Sequence, residues 1–372
     1  MNSCDVRMDD FIFPFFVYED ENVLKKSLGT GQMNKSKIHV NNITQLLERV
    51  DRLGVSQILL FGIPKKRDIN GNSALQKKGV VQRSLKTIRQ NFGDKFKIFS
   101  DVCLCQYNKS GHCGIAANAT TRRGPIISGE TRIDNDKTLQ KLGEISLSHC
   151  ESGTDFIAPS SMMDGQVIYL RNLLDSEGFG DVNILSYSSK HNSCLYSPFR
   201  SSNYLNSRNF DKNSYQISFN NPRESLRETL IDIEEGADWV MIKPSLWYMD
   251  IIRYAKESIQ VPLVVQNVSG EYALLKALIG GINDTCSNTV TSIALSFVKS
   301  EYHHYPLKNP KVKSKEFFDY KNEMVFRESG LLGGDLKDSN SEILLNLMKS
   351  YKRAGADKII SYFLLDLISN KL

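Results

Sequence analysis

No uninterrupted apolar run in the 372 residues approaches the roughly 20 that a membrane-spanning helix needs, so a helical membrane protein is not expected. The opening stretch, MNSCDVRMDDFIFPFFVYED, sets acidic residues before its apolar segment and lacks a small-residue cleavage site. It does not read as a secretory signal. No block of like charge is present either: the net charge of +5 is spread along the chain. Neither nucleic acid nor a membrane surface is therefore expected as a partner, and only a mild attraction for acidic small molecules is implied. No internal repeat of short fixed period appears, and no C-x2-C pair, which argues against a structural zinc ribbon. Of seven cysteines, three fall within eleven residues (Cys103, Cys105, Cys113) and four are scattered. In a chain without a signal, that clustering favours metal over a disulfide framework and a reducing, cytoplasmic setting.

What is there is an ordinary globular composition. With 41% hydrophobic and 24% charged residues the chain is too apolar for disorder and long enough for a full-sized core. Short β-branched or aromatic runs at 13–17, 58–61, 96–100, 156–158, 183–187, 240–242, 263–265 and 359–362 read as strands. Helix-period segments lie between them, at 43–53, 138–149, 167–175, 223–235, 248–255 and 341–354. Gly-Thr-Asp at 153–155 and Gly-Ala-Asp at 236–238 and 355–357 each close a helix and lead into a strand. Eight strands alternating with helices over this length predict a single α/β domain, a parallel (β/α)8 TIM barrel, with an open doubly wound sheet as the alternative. Two stretches depart from the repeat. Residues 18–42 are polar and without period, expected as a loop over the barrel. Residues 279–335, basic and irregular, are expected as a peripheral insertion before the last βα unit.

In a parallel barrel, reactive groups collect where strands end. Reading just past each apolar run yields Asp101, Cys103 and Cys105, Ser160, Lys190, Lys243, Ser269 and Tyr362. Lys243, between an apolar strand and a proline, has no easy route to bulk water, and burial lowers a lysine toward the nucleophilic neutral amine. The bland alternative is a strand-end lysine paired with a carboxylate. Lys190 follows its strand in the same way, and two neighbouring amines repel each other's protons, as in lysine-based Schiff-base chemistry on a carbonyl. Cys103, Cys105 and Cys113 (C-x-C-x7-C) offer three thiolates with a fourth position open, the pattern of a catalytic zinc; three inert buried cysteines are the alternative. His112 is a further ligand or a group behind the metal ligands. Arg200 and Lys212 flank a Ser/Asn-rich stretch suited to closing over carboxylate substrates, though each alone reads as solvated surface.

The chain resembles the 5-aminolevulinate dehydratase, or porphobilinogen synthase, family through DDFIFPFFV, LFGIPKKRD, GVVQRSLKTIR, SDVCLCQYNKSGHCG, APSSMMDG, ILSYSSKHNSCLYSPFR, EEGADWVMIKP, VSGEY and RAGADKIISYF. The resemblance implies the condensation of two 5-aminolevulinates into a pyrrole for tetrapyrrole synthesis. It implies Lys243 and Lys190 as the Schiff-base lysines of the propionate-side and acetate-side substrates, with Asp101 beside the metal. It further implies Cys103, Cys105 and Cys113 as zinc ligands. Arg200, Lys212 and Gln216 would hold one carboxylate, Ser269 and Tyr362 the other. Glu228 corresponds to a carboxylate that binds an allosteric magnesium in some members.

Four departures accompany the resemblance. Ser161 and Gln166 stand where the family has an acid and an arginine, and Gln266 stands where it has a tyrosine. The basic arm before DDFIFPFFV is short, and the segment before the last helix is expanded. The first two affect rate and substrate positioning; the last two predict a homo-oligomer altered from the family's octamer. A diverged, non-catalytic barrel is the alternative function, and a one-lysine aldolase a further one.

Overall fold

The computed structural model describes residues 5–28, 34–117, 126–128, 131–196, 212–283 and 336–369. The eight apolar runs are eight strands: β1 (Phe11–Tyr18), β2 (Gln57–Ile63), β3 (Lys97–Val102), β4 (Phe156–Pro159), β5 (Asn183–Lys190), β6 (Trp239–Lys243), β7 (Leu263–Gln266) and β8 (Lys358–Ile360). Each pairs in parallel with the next, and β8 returns to β1 through Phe11 opposite Ile359 and Ile12 opposite Ile360. That last pairing closes the barrel and excludes the open sheet. All eight residues of β1 are buried. A strand covered by side chains within and helices outside has no solvated face, hence its unbroken apolar run.

The helices include α1 (Ile43–Arg52), α2 (Val80–Phe92), α3 (Asn135–Cys150), α4 (Gln166–Ser176), α5 (Pro222–Glu234), α6 (Met249–Ser258), α7 (Ser269–Asn283) and α8 (Leu336–Ala354). Side-chain caps start two of them: Asp134 accepts from Lys137 N at 3.1 Å, and Asn221 accepts from Glu224 N at 3.2 Å ahead of Pro222. At the opposite face of the barrel one device recurs three times. Asp155, Asp238 and Asp357, the last residues of the Gly-x-Asp turns, accept from the backbone N–H of Ile98, Ile184 and Leu263 at 2.7–2.8 Å. Each thereby fastens the strand it precedes to its neighbour. The glycine of each turn has φ near +100°, and a long cationic stem (Arg89, Arg171 or Lys256) lies across it. A Cβ at Gly236 would stand 3.0 Å from Arg171 Cγ.

Two expectations are corrected, and a third falls mostly outside the described residues. Residues 18–42 are not a plain loop: Glu21–Leu28 is a helix, started by Asp20 accepting from Asn22 N and Val23 N. Lys37–His39 forms a short strand parallel to β1. The helical pattern at 80–92 was not among the expected helices, and antiparallel pieces at Ile115–Ala116, Ile126–Ser128 and Thr131–Asp134 follow the cysteine segment. The stretch expected to turn irregular at 279 stays helical to Asn283, and 284–335 lie outside the described residues. The chain divides into two compact units, Met1–Tyr272 with Leu347–Leu372, and Ala273–Asn346. The closed barrel belongs to the first. Among the described residues no helix is long and apolar enough to cross a membrane.

Candidate active site

The register between β5 and β6 decides what faces the barrel mouth. Val240 lies opposite Ser186, but Ile242 lies opposite Ser189 and Lys243 opposite Lys190. One extra residue in β5 forms a bulge. With an unbroken ladder, Lys243 would face Ser189, and a one-residue slip turns a side chain to the other face. The bulge sends Ser189 outward, where it bonds Ser225 of α5, and turns Tyr187 and Lys190 inward together. The Nζ atoms of Lys190 and Lys243 stand 5.5 and 5.2 Å from the centroid of the Tyr187 ring.

Both amines line one cavity with Asp101, Cys105, Ser160 and Tyr362. Lys243 also lies over the rings of Phe61 and Tyr196, each at 5.8 Å. Burial among these rings, followed by repulsion from Lys190, lowers Lys243 to about 7. Lys190 donates to the carbonyl oxygen of Ser160. The Ser160 hydroxyl donates to Asp101 Oδ1 at 2.7 Å, and Gln106 Nε2 donates to Oδ2 at 3.0 Å. Burial raises the Asp101 carboxyl above its usual range, against the pull of these donors and of both lysines.

Beyond β3 the chain folds back on itself around Asn108. Its Nδ2 donates to the carbonyls of His112 (2.8 Å) and Gly114 (3.3 Å), and its Oδ1 accepts from Gly111 N and Ser110 Oγ at 2.6 Å. That turn returns Cys113 to the other cysteines, whose three sulfurs all lie within 4.8 Å of one another. Cys103 and Cys105 are 3.4 Å apart. Thiolates sharing a tetrahedral zinc at about 2.3 Å are about 3.8 Å apart, so the cluster needs little adjustment to hold such an ion. Soft sulfur donors of this kind suit zinc over hard cations. Hydrogen bonds from Cys103 and Cys105, followed by the charge of Lys212, hold the Cys113 thiol well below its usual range, whereas burial pushes Cys103 up.

The remaining expected residues separate. Lys212 Nζ stands 3.0 Å from Cys113 Sγ and also lines the cavity. Gln216 lines it too, buried, with Oε1 lacking a hydrogen-bond partner among the described residues. Ser269 Oγ reaches the carbonyls of Leu195 and Tyr196 at 3.4 and 3.5 Å, and Tyr362 stacks on Phe16 at 6.0 Å. His112 is not in the sulfur cluster; its Nδ1 is 3.0 Å from the hydroxyl of Tyr215, which also accepts from Cys113 N at 3.4 Å. Arg200 lies outside the described residues. Glu228 is half-buried on α5 and does not line the cavity; burial raises its carboxyl. Ser161, Gln166 and Gln266 are buried and none lines the cavity. Gln166 instead contacts the Pro159 carbonyl and Met163 N, both at 3.4 Å, bracing the turn that presents Ser160.

Sequence reading did not single out Gln106, Tyr187, Tyr215 or Arg67, all close to these groups. Tyr187 was readable only as a strand residue, because its inward direction depends on the bulge. Arg67 sits in a basic run that looks like surface; the bridge of Asp68 to Asn108 sets it beside the cysteine loop.

Residues 1–298 match the family described as delta-aminolevulinic acid dehydratase. A protein of that name from Methanothermus sociabilis is 42% identical over 271 residues, 73% of this chain and 80% of its own length. Another, from Helicobacter pylori, is 38% identical over 357 residues, 96% of this chain and 90% of its own. The crystal structure of delta-aminolevulinic acid dehydratase (porphobilinogen synthase) from Toxoplasma gondii ME49, in complex with the reaction product porphobilinogen, is 26% identical with a TM-score of 0.73. The match covers 98% of this chain and 85% of that one. With a family match over most of its length, closely similar relatives and a closed barrel of the same kind, the chain belongs to the delta-aminolevulinic acid dehydratase family.

Proposed function

We propose that the barrel mouth condenses two molecules of 5-aminolevulinate to porphobilinogen with loss of two waters, a hydro-lyase step of tetrapyrrole synthesis. The observation that carries this reading is the pairing of Lys243 with Lys190 at the ends of adjacent strands over one cavity. Each of two ketones can thus meet its own amine.

Lys243 is the first nucleophile. Held at about 7, roughly half of it is the neutral amine at neutral pH, against about one part in 3000 for an ordinary lysine. Its nitrogen adds to the ketone of the propionate-side substrate, the oxygen leaves as water, and an imine remains. Lys190 does the same for the acetate-side substrate. Asp101, tied to Ser160 and Gln106 and lining the same cavity as both amines, would accept and return protons. Ser269 and Tyr362 would hold one carboxylate; Lys212, Gln216 and Arg200 the other. Cys103, Cys105 and Cys113 would hold zinc, which supplies Lewis acidity toward the amino group of the second substrate or a water. Thiolate ligation needs a reducing compartment, so we place the protein in the cytoplasm. A homo-oligomer, magnesium at Glu228, and the 279–335 segment as an insertion in one barrel domain belong to the same proposal.

The test is incubation with 5-aminolevulinate and zinc, with colour development for the pyrrole. Porphobilinogen is expected, lost on chelation and restored by zinc. Pyrrole formation by Lys243→Ala at the wild-type rate would overturn the assignment.

A further inference from the structure

Glu271, in the first turn of α7, has no solvent exposure. One carboxylate oxygen does what a carboxylate in that position does in many helices: Oε2 accepts from Val268 N at 2.6 Å, capping the helix start. The other serves a different loop. Oε1 accepts from Ser245 N at 2.9 Å, from Leu246 N and, more weakly, from the Ser245 hydroxyl at 3.5 Å. Ser245 and Leu246 lie just beyond Lys243, and Val268 lies just before Ser269. One side chain therefore clasps the loop that carries the amine and the loop that carries the hydroxyl.

The clasp is itself braced. Asn267 Nδ2 donates to Ser245 Oγ at 2.9 Å and to the Tyr351 hydroxyl at 2.7 Å, and Ser245 Oγ donates to Tyr351 at 2.9 Å. On the far side Gly270 lies against the backbone of Leu195, whose carbonyl oxygen a Cβ would meet. Neither loop can shift alone without leaving a buried donor or acceptor unpaired.

We propose that Glu271 is a positioning residue that sets the length of keto acid the cavity accepts. The inference rests on the reading of Lys243 as the ketone-binding amine and Ser269 as a carboxylate ligand. Those two groups grip opposite ends of one substrate, so the span between them selects the number of carbons separating ketone from acid. Glu271 fixes that span because it holds both loops at once.

The test is reductive trapping at Lys243 by cyanoborohydride, located by peptide mass, with 4-oxo, 5-oxo and 6-oxo straight-chain acids. The imine forms by loss of water and hydride reduces it to a stable secondary amine. Wild type is expected to select the 4-oxo acid. Glu271→Gln places an N–H group against backbone donors, and Glu271→Asp withdraws the carboxylate by about 1.5 Å. In both, the ratio of half-saturating concentrations, 5-oxo over 4-oxo, is expected to fall at least tenfold. Tyr351→Phe, which loosens Ser245 without touching the carboxylate, is expected to lower it about threefold and serves if the Glu271 variants do not fold. A helix cap alone would lower the melting temperature and leave this ratio unchanged. Folded variants with the wild-type ratio overturn the proposal, while absence of any trapping at Lys243 in wild type overturns the underlying reading as well.

Discussion

Replacing Lys190 by methionine tests whether the two amines sense each other. Both ammonium groups sit over the Tyr187 ring at 5.5 and 5.2 Å, which limits their separation to no more than about 11 Å. Even at that separation, with an effective dielectric constant near 20, their repulsion is about 1.5 kcal/mol, or about 1.1 pK units. Burial, the larger cause of the low Lys243 value, survives because methionine is apolar and of similar length. Asp101 pulls the other way and stays. The expected result is a rise of Lys243 from about 7 to about 8. Trapping needs the unprotonated amine, so its rate rises with pH through the pKa and the midpoint moves to higher pH in the variant. At pH 6.5 the trapping rate with a 4-oxo acid should fall about eightfold, while at pH 9.5 the two proteins should agree within about twofold. The assay is cyanoborohydride trapping from pH 5.5 to 9.5 followed by intact mass. A midpoint that stays at its wild-type value, or moves down, would refute the coupling.

Cys105→Ser should reduce bound zinc from one ion per chain to a small fraction, measured by metal analysis after dialysis, while trapping of the 4-oxo acid at Lys243 persists; full zinc retention would count against the three-thiolate site. Gly236→Ala should lower stability by about 1–3 kcal/mol in urea unfolding, because φ is +103° and the new Cβ presses on Arg171. Turnover should stay unchanged, since this turn lies at the barrel end opposite Lys243. A variant as stable as wild type would remove the strain argument.

Much of the barrel was legible because its signals are local. A run such as Phe11–Tyr18 is apolar at every position because helices cover the strand outside and side chains fill it within. The Gly-x-Asp turns announced strand starts through a positive-φ glycine and an aspartate that bonds the neighbouring strand's backbone. The Glu21–Leu28 helix was not legible. Eight residues with three apolar positions are too short a stretch for periodicity to assign, and the helix is stabilised by Asp20 and by the bond of Ser27 to Tyr18 of β1. Among the candidate site residues, strand-end position and chemistry pointed to Asp101, Lys190, Lys243 and the cysteines. Lys212 was read as a carboxylate ligand from its charge, and its approach to Cys113 depends on Asn108 turning the cysteine loop back.

The amino-acid order alone determined the eight barrel strands, six of the helices and the reactive groups at strand ends, because these depend on residues within a turn or a strand of one another. Closure of the sheet depends on Phe11 meeting Ile359, and the approach of the two lysines depends on one extra residue in β5. The tie between the Lys243 and Ser269 loops depends on a carboxylate 26 positions from the Ser245 amide it binds. Such contacts are settled by the fit of whole elements against one another, in which a one-residue slip reverses every side chain, and only the folded chain states which slip was taken.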